Sequence, residues 1–119
     1  MAVFKKRKLS GSTDGKAIKI AATATAGTAI HTAVAGTTAG TYDEVWLFAF
    51  NSHTAAVTLT IEIGGVTVPD NTIVCTLASK SGLQLILPGL ILQNAKTVAA
   101  FASTTNVITV TGWVNALTD

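Results

Sequence analysis

The sequence predicts an all-β protein: an antiparallel β-sandwich, jelly-roll-like, of about eight strands, with an extended N-terminal arm. The chain is rich in Thr, Val and Ile, whose branched side chains fit a pleated surface better than a helix. Short apolar runs recur at roughly ten-residue spacing, as is typical of sandwiches and barrels. Eight strands in 119 residues suit a jelly roll. An immunoglobulin-like sandwich is the alternative, although a single cysteine cannot give its Cys…Trp…Cys pattern.

The arm is indicated by a segregation of charge. The first nineteen residues hold six of the eight basic residues and one acidic residue, which gives +5; the remaining hundred hold two basic and five acidic residues, which gives −3. The run Lys5–Lys8 is followed by Leu9–Gly15, which has the composition of a linker. We therefore divide the chain into an extended basic arm, residues 1–15, and a sandwich body, residues 16–119. Such an arm is too polar to fold alone and is expected to order on a partner.

The strands of the body follow from alternation and turn residues. They are predicted at 16–24, 28–34, 44–51, 57–63, 66–68, 71–78, 83–87, 90–92, 97–103 and 106–114, of which 66–68 and 90–92 are short pieces. The clearest is 57–63, where apolar and polar residues alternate as in a strand with one buried face. The Gly64-Gly65 pair after it predicts a tight hairpin to 66–68. Pro88-Gly89 is expected to break a strand, and Thr104-Thr105 to turn a final hairpin.

The segment 44–51 is apolar on both of its faces, which predicts a central strand covered on both sides. Trp46, Phe48 and Phe50 share one face of it. We interpret them as core or as an oligomer seam, and favour core because large aromatic side chains mostly bury.

Composition indicates a surface that is covered by something. Charged residues make up 12% of the chain, about half the usual share, and the mean hydropathy is +0.52. The longest apolar segment, 83–92, is interrupted and falls short of the roughly twenty residues that a spanning helix needs. The basic run is not followed by the apolar stretch of a secretory signal. We therefore expect no membrane association, and a body covered by copies of itself or by another protein. The lone Cys75 excludes an intrachain disulfide, predicts a small buried hydrophobe and fits assembly in a reducing cytoplasm.

No catalytic, cofactor-binding or metal-binding residues are predicted. His31 and His53 are interpreted as isolated surface histidines, because no nucleophile or orienting group accompanies them. Asp43 and Glu44 point to opposite faces of a strand, so they are read as solvated charges rather than an acid/base pair.

The basic run itself has three interpretations. It could neutralise nucleic acid phosphates, remain a solvated tail, or anchor the chain to an acidic protein surface. The lack of interleaved aromatics and the acidic body argue against direct contact with nucleic acid. We favour the protein anchor.

The order of these features, carried by residues 5–15, 43–51, 59–65 and 107–115, resembles the small capsid decoration (cement) proteins of tailed bacteriophages. The resemblance implies a non-enzymatic virion protein, assembled in the host cytoplasm. It would lie on the outer surface of the capsid, often as a homotrimer, and stabilise the lattice of the major capsid protein. Its arm would lie on the capsid, and the expected contact residues are Phe4, Lys5, Lys6, Arg7, Lys8 and Leu9.

Two other functions stay open at this point. One is a carbohydrate-binding or head/tail fibre-type adhesion module, in which an aromatic such as Tyr42 or Trp113 meets a sugar. The other is a DNA-binding accessory protein that depends on Lys5–Lys8 and whose affinity falls steeply with salt.

Overall fold

The computed structural model describes residues 2–119, and these residues form an all-β protein of nine strands. The strands are β1 (Val3–Lys8), β2 (Ile18–Lys19), β3 (Thr28–Thr32), β4 (Tyr42–Asn51), β5 (Val57–Ile63), β6 (Thr72–Leu77), β7 (Gln84–Leu92), β8 (Thr97–Ala102) and β9 (Ile108–Thr118). The predicted fold class, an all-β sandwich, is confirmed. Within residues 2–119 there is no helix that could span a membrane.

The strands form two sheets in which every pairing is antiparallel. The first sheet has the order β1-β9-β4-β7, with the short β2 also paired to β9. The second sheet has the order β3-β8-β5-β6. Consecutive strands mostly lie in opposite sheets, so the chain repeatedly crosses between the two layers.

The core lies between the sheets. In β4, alternate residues from Asp43 to Asn51 point inward and are buried, while those from Tyr42 to Phe50 point outward and are half-buried. The largest fully buried side chains are Leu9, Ile20, Ile30, Val45, Leu47, Val57, Leu59, Ile61, Leu77, Leu87, Val98 and Ile108. Trp46, Phe48 and Phe50 are not among them, so the preference for a core position was wrong. The inward positions of β4 are taken by smaller residues, because two closely packed sheets leave limited depth between them.

Two of the predicted hairpins are wrong. Strand β8 pairs with β3 and β5 in the second sheet, whereas β9 belongs to the first sheet, so residues 103–107 link two layers instead of two neighbouring strands. Strand β5 does form a hairpin, but its partner is β6 and the loop is Gly64–Asn71; residues 66–68 lie in that loop and form no strand. Turn residues in the sequence indicate where the chain reverses direction. They do not indicate which strand the chain pairs with after the turn.

The predicted break at Pro88-Gly89 is also absent. Strand β7 continues through both residues, with register shifts against β4 on either side of Trp46 and Leu47. Proline has no N–H to donate, which an edge strand tolerates, and β7 is the last strand of its sheet. Gly89 has a φ of +74°, and a Cβ at this position would lie 2.9 Å from the Trp46 ring. The missing side chain therefore leaves room for the indole of Trp46 against β7.

The tract between β2 and β3 packs against the second sheet. The Glu62 carboxylate is buried and accepts hydrogen bonds from the Thr25 hydroxyl and, at 2.7 Å, from the Gly27 N–H. A Cβ on Gly27 would meet the backbone of Ala100 at 2.5 Å. The two strands that flank this tract are shorter than predicted. Strand β2 is Ile18–Lys19 where 16–24 was predicted, and β3 is Thr28–Thr32 where 28–34 was predicted. Cys75 is half-buried against the core, and burial raises the pKa of its thiol.

Candidate functional site

The basic segment is an edge strand of the first sheet. Strand β1 pairs with residues 113–118 of β9 along its whole length, and all six of its residues are exposed. Its other edge has no neighbouring strand among the described residues. We expected an extended arm at residues 1–15 that orders on a partner; within it, residues 3–8 pair instead with β9 of the same chain. Residues 3–8 pair with β9 because the backbone N–H and C=O groups at the end of β9 need hydrogen-bond partners, which β1 provides.

The chain just after β1 is fixed to the body by burial and hydrogen bonds. Leu9 is 1% exposed and belongs to the core, so it was wrong as a contact residue for a partner. The Ser10 N–H donates to His31 Nδ1 at 3.0 Å, and the Gly11 N–H donates to the Ile30 carbonyl at 2.8 Å. A Cβ on Gly11 would lie 2.6 Å from that carbonyl oxygen, so only glycine allows this close approach. The C-terminal end of β1 is thus fixed to the body.

The side chains of β1 alternate between two environments. Phe4, Lys6 and Lys8 point to the outer face of the first sheet, opposite Leu117, Asn115 and Trp113 of β9. Val3, Lys5 and Arg7 point to the other face, where the second sheet does not cover them. Phe4, Lys5, Lys6, Arg7 and Lys8 are therefore all accessible, and they present charge on both faces of one strand.

The outer face of the first sheet is aromatic. Trp46 stacks on Trp113 with ring centroids 6.0 Å apart, and Phe48 stacks on Trp113 at 5.7 Å. Tyr42 and Phe50 point to the same side of β4, and all five rings are half-buried. We call this surface the aromatic face. The side chains come together because directly opposite residues of antiparallel strands share a face, as Trp46 and Trp113 do.

Charged groups border the aromatic face. Lys6 Nζ lies 4.5 Å from the centroid of the Trp113 ring, in a cation–π contact that links β1 to this face. The Glu44 carboxylate accepts hydrogen bonds from Trp46 Nε1 at 2.6 Å and Asn115 Nδ2 at 3.0 Å. The Asn115 amide and the Trp46 indole together hold the pKa of Glu44 below its ordinary value. The face thus offers a fixed negative charge beside a positive one.

A cleft of about 650 Å³ opens between β1, the end of β9 and the segment 31–34. His31 and Asp43 line it and are each 6% exposed, so both were wrongly predicted as solvent-facing. A register shift between Ala29 and His31 in β3 places Ile30 and His31 both in buried positions. No alternation rule reveals such a bulge.

His31 and Asp43 form a structural pair. Nδ1 accepts the Ser10 N–H, so the ring proton lies on Nε2, which donates to Asp43 Oδ2 at 2.7 Å. The Ser10 hydroxyl does not contact His31; it accepts a hydrogen bond from the Thr32 N–H. Both ring nitrogens are occupied by hydrogen bonds within the fold. Within residues 2–119, no group of three or more His, Cys, Asp or Glu side chains is arranged to hold a metal ion.

Comparison with known proteins adds no relative: no protein family, no curated protein and no solved structure matches this chain. The accessible surface with the most distinctive chemistry is the basic strand β1 together with the aromatic face beside it.

Proposed function

We propose that this protein is a structural virion component, a capsid decoration protein that binds the outside of a phage head as a homo-oligomer and stabilises the lattice of the major capsid protein. The observation that carries the proposal is the exposed edge strand β1 with its four consecutive basic residues, Lys5–Lys8. Its attachment to the head is assigned to Phe4, Lys5, Lys6, Arg7 and Lys8.

An edge strand can bind a partner through its backbone. The free edge of β1 presents N–H and C=O groups to which an extended segment of another protein can add. Lysine on an edge strand opposes pairing with an identical strand, since like charges directly opposite each other are destabilising. The same charges favour an acidic partner. Strand β1 is therefore suited to a different protein with acidic side chains, and unsuited to β1 of a second copy.

The aromatic face supports the same proposal. Aromatic side chains are enriched at protein interfaces, where their rigid rings bury large areas at little cost in conformational entropy. Trp46, Phe48 and Trp113 lie next to β1 through the contact of Lys6 with Trp113. A capsid surface that meets β1 can thus reach these rings without any movement of the sandwich.

We also infer that the sandwich is a jelly roll. If the two-residue β2 is left out and the other strands are renumbered, the sheets read 1-8-3-6 and 2-7-4-5. This is the order produced when a long antiparallel hairpin winds into two four-stranded sheets. Jelly rolls occur in viral capsid domains and in lectin domains. The fold is therefore compatible with a capsid protein and with a carbohydrate-binding module alike.

The test is binding to phage heads that lack the protein. One variant replaces Lys5, Lys6, Arg7 and Lys8 with serine. A matched control replaces the other four basic residues, Lys16, Lys19, Lys80 and Lys96, with serine, so both proteins lose four positive charges. We expect the β1 variant to lose at least tenfold in occupancy after sedimentation of the heads, and the control to bind as the wild type does. Equal binding, or equal loss, by the two variants would overturn the role of β1.

One observation favours a second candidate, a carbohydrate-binding or fibre-type adhesion module. Tyr42 and Trp113 lie half-buried on the outward aromatic face, and Glu44 and Asn115, whose side chains accept and donate hydrogen bonds, lie on the same face. Glycan-array binding by the wild type that is lost in Trp113→Ala would support this candidate. Absence of binding at millimolar sugar would reject it.

A further inference from the structure

Two of the four basic residues of β1 already contact other parts of the fold. Lys6 Nζ lies 4.5 Å from the centroid of the Trp113 ring, on the aromatic face. Lys8 Nζ, on the same side of the strand, lies 3.5 Å from the Ser12 carbonyl oxygen. A carboxylate of another molecule would have to compete with these contacts for both ammonium groups.

The other two basic residues, Lys5 and Arg7, have no such contact. Both side chains point to the opposite side of β1, which we call its inner face, next to Ala116 and Val114 of β9. Across residues 2–119, neither head group makes an ion pair or a hydrogen bond. A guanidinium has five N–H donors and binds a carboxylate through two of them at once. The inner face therefore carries the charges of β1 that are available to a partner.

The inner face of β1 lies along two adjoining hollows. One is the cleft of about 650 Å³, and the other is a smaller hollow of about 220 Å³ beside Val3 and Lys5. Arg7, Ala116 and Thr118 line both hollows, so the two are continuous along the strand. We call them together the inner trough. Its larger part has a volume typical of ligand-binding pockets, which is about 300–1,000 Å³.

The inner trough is positively charged. Residues 32–34 form its opposite wall and carry no charge. The one acid that lines it is Asp43, which is 6% exposed and accepts a hydrogen bond from His31 Nε2. Lys5 and Arg7 outnumber this carboxylate and are exposed, whereas Asp43 is not. The trough thus has the charge to hold an acidic segment and an uncharged wall against which that segment can pack.

An extended segment has the right geometry for this trough. A strand that adds to the free edge of β1 places every second side chain on the inner face. Directly opposite residues of an antiparallel pair have Cβ atoms about 4.5–5.5 Å apart, which is close enough for their side chains to form an ion pair. Two carboxylates two positions apart would therefore meet Lys5 and Arg7, and the residue between them would face the side of Lys6.

We propose that the inner trough binds an extended segment of the major capsid protein that carries carboxylates at alternate positions, opposite Lys5 and Arg7. The inference rests on the proposed function for the identity of the partner. It deepens that function by assigning the side of β1 that binds and the spacing of the acidic residues in the partner. Lys6 and Lys8 add positive charge near the interface but do not select this spacing.

The first test compares two end-blocked peptides of identical composition, Thr-Thr-Glu-Thr-Glu-Thr-Thr and Thr-Thr-Glu-Glu-Thr-Thr-Thr. Each is titrated into the isotope-labelled full-length protein and followed by NMR. Adjacent acids point to opposite faces of a strand, so the first peptide should bind about three- to tenfold more tightly. Its binding should shift the amide signals of Arg7 and residues 32–34. Equal affinities, or shifts confined to the indole signals of Trp46 and Trp113, would overturn the inference.

The second test separates the two sides of β1. Lys5→Ser with Arg7→Ser removes the charges of the inner face, and the matched control, Lys6→Ser with Lys8→Ser, removes two charges from the outer face. All four side chains are exposed, so neither variant should change stability much. We expect the inner-face variant to lose peptide binding and about tenfold in head occupancy, and the control to keep both. Equal losses by the two variants would contradict the inference.

A charge reversal gives a gain of binding in place of a loss. Lys5→Glu with Arg7→Glu should fail to bind the peptide with alternating glutamates and should bind Thr-Thr-Lys-Thr-Lys-Thr-Thr instead. A reversed variant that binds neither peptide, while its NMR spectrum shows the native fold, would also overturn the inference.

These outcomes are separable from the capsid proposal. A wild type that binds the alternating peptide but no heads would reject the capsid protein as the source of the segment and would support the trough as its site. A wild type that binds heads as well as both paired variants do would reject the trough alone.

Discussion

At the scale of single residues, Gly112 shows how closely β9 and β4 approach each other. A Cβ at this position would lie 1.9 Å from the Trp46 carbonyl oxygen, and that atom belongs to the backbone and cannot rotate away. We expect Gly112→Ala to lower the free energy of unfolding by about 2–3 kcal/mol, the upper part of the range for overpacking. Chemical denaturation measures this loss.

The control for this prediction is Gly15→Ala. Gly15 has a φ of +82° but open space around its Cβ, so the substitution carries the conformational cost alone, about 1 kcal/mol. A Gly112→Ala protein as stable as the Gly15→Ala protein would contradict the close approach of the two strands.

The buried pair of His31 and Asp43 gives a second prediction at this scale. Asp43→Ala leaves His31 Nε2–H buried without an acceptor, which should lower the free energy of unfolding by about 1–3 kcal/mol. Asp43→Asn can still accept this hydrogen bond through its amide oxygen and should cost less. Urea unfolding of the two variants compares them. If Asn and Ala cost the same, the hydrogen bond does not stabilise the fold.

Glu44 predicts a pH dependence that tryptophan fluorescence can report. Its pKa is lowered below 4.5 by hydrogen bonds from Asn115 and Trp46, so these bonds stabilise the folded protein above the ordinary pKa. Their contribution is lost as the pH falls through the lowered, folded-state pKa. We expect the fluorescence to titrate with a midpoint below 4.5. In Asn115→Ala the midpoint should rise, and Glu44→Gln should abolish the transition. A midpoint unchanged in Asn115→Ala would contradict this assignment.

At the scale of elements, the attachment of β1 depends on the residue that follows it. Leu9 is 1% exposed, whereas Phe4 within β1 is 63% exposed. We expect Leu9→Ala to cost about 2–5 kcal/mol in unfolding free energy and to increase hydrogen exchange in β1. Phe4→Ala should change stability by less than about 0.5 kcal/mol. Equal effects of the two substitutions would show that β1 is not anchored through Leu9.

The elements also show what the sequence can and cannot predict. Strand β5 lies at Val57–Ile63 as predicted, because its alternation matches a half-buried pleat and is a local property. Two features depend on which distant strands pair, and no local signal in the sequence specifies this pairing. They are the connection from β8 to the first sheet and the contact of His31 with Asp43. Leu9 had one available signal: it is an isolated large apolar residue directly before a turn of small residues.

The aromatic residues were misplaced for a related reason. Alternation correctly placed Trp46, Phe48 and Phe50 on one face of β4, but side-chain size wrongly suggested which face lies inward. Both faces of β4 are apolar, so hydrophobicity alone could not decide. A surface position for these rings was therefore only the second interpretation of the sequence, as an oligomer seam. The aromatic face was not predicted as part of a binding site.

At the scale of the whole molecule, the sandwich divides into surfaces of different chemistry. The β1 edge is basic, the adjoining outer face is aromatic, and most of the exposed large aliphatic side chains belong to β6, β7 and the segments next to them. Such a division suits a protein that meets unlike partners on unlike sides. A low overall charge is what the proposed function predicts, because a surface covered in an assembly does not need charges to stay soluble.

Under the proposed function the gene lies in a phage genome, and the decisive measurement is the amount of the protein in purified virions of that phage. Quantitative mass spectrometry of intact, gradient-purified particles gives its ratio to the major capsid protein. We expect a fixed ratio in wild-type particles, and we expect the protein to be missing from particles when the four basic residues of β1 are replaced by serine. Particles that contain none of the protein, while the infected cell contains it in soluble form, would contradict the account.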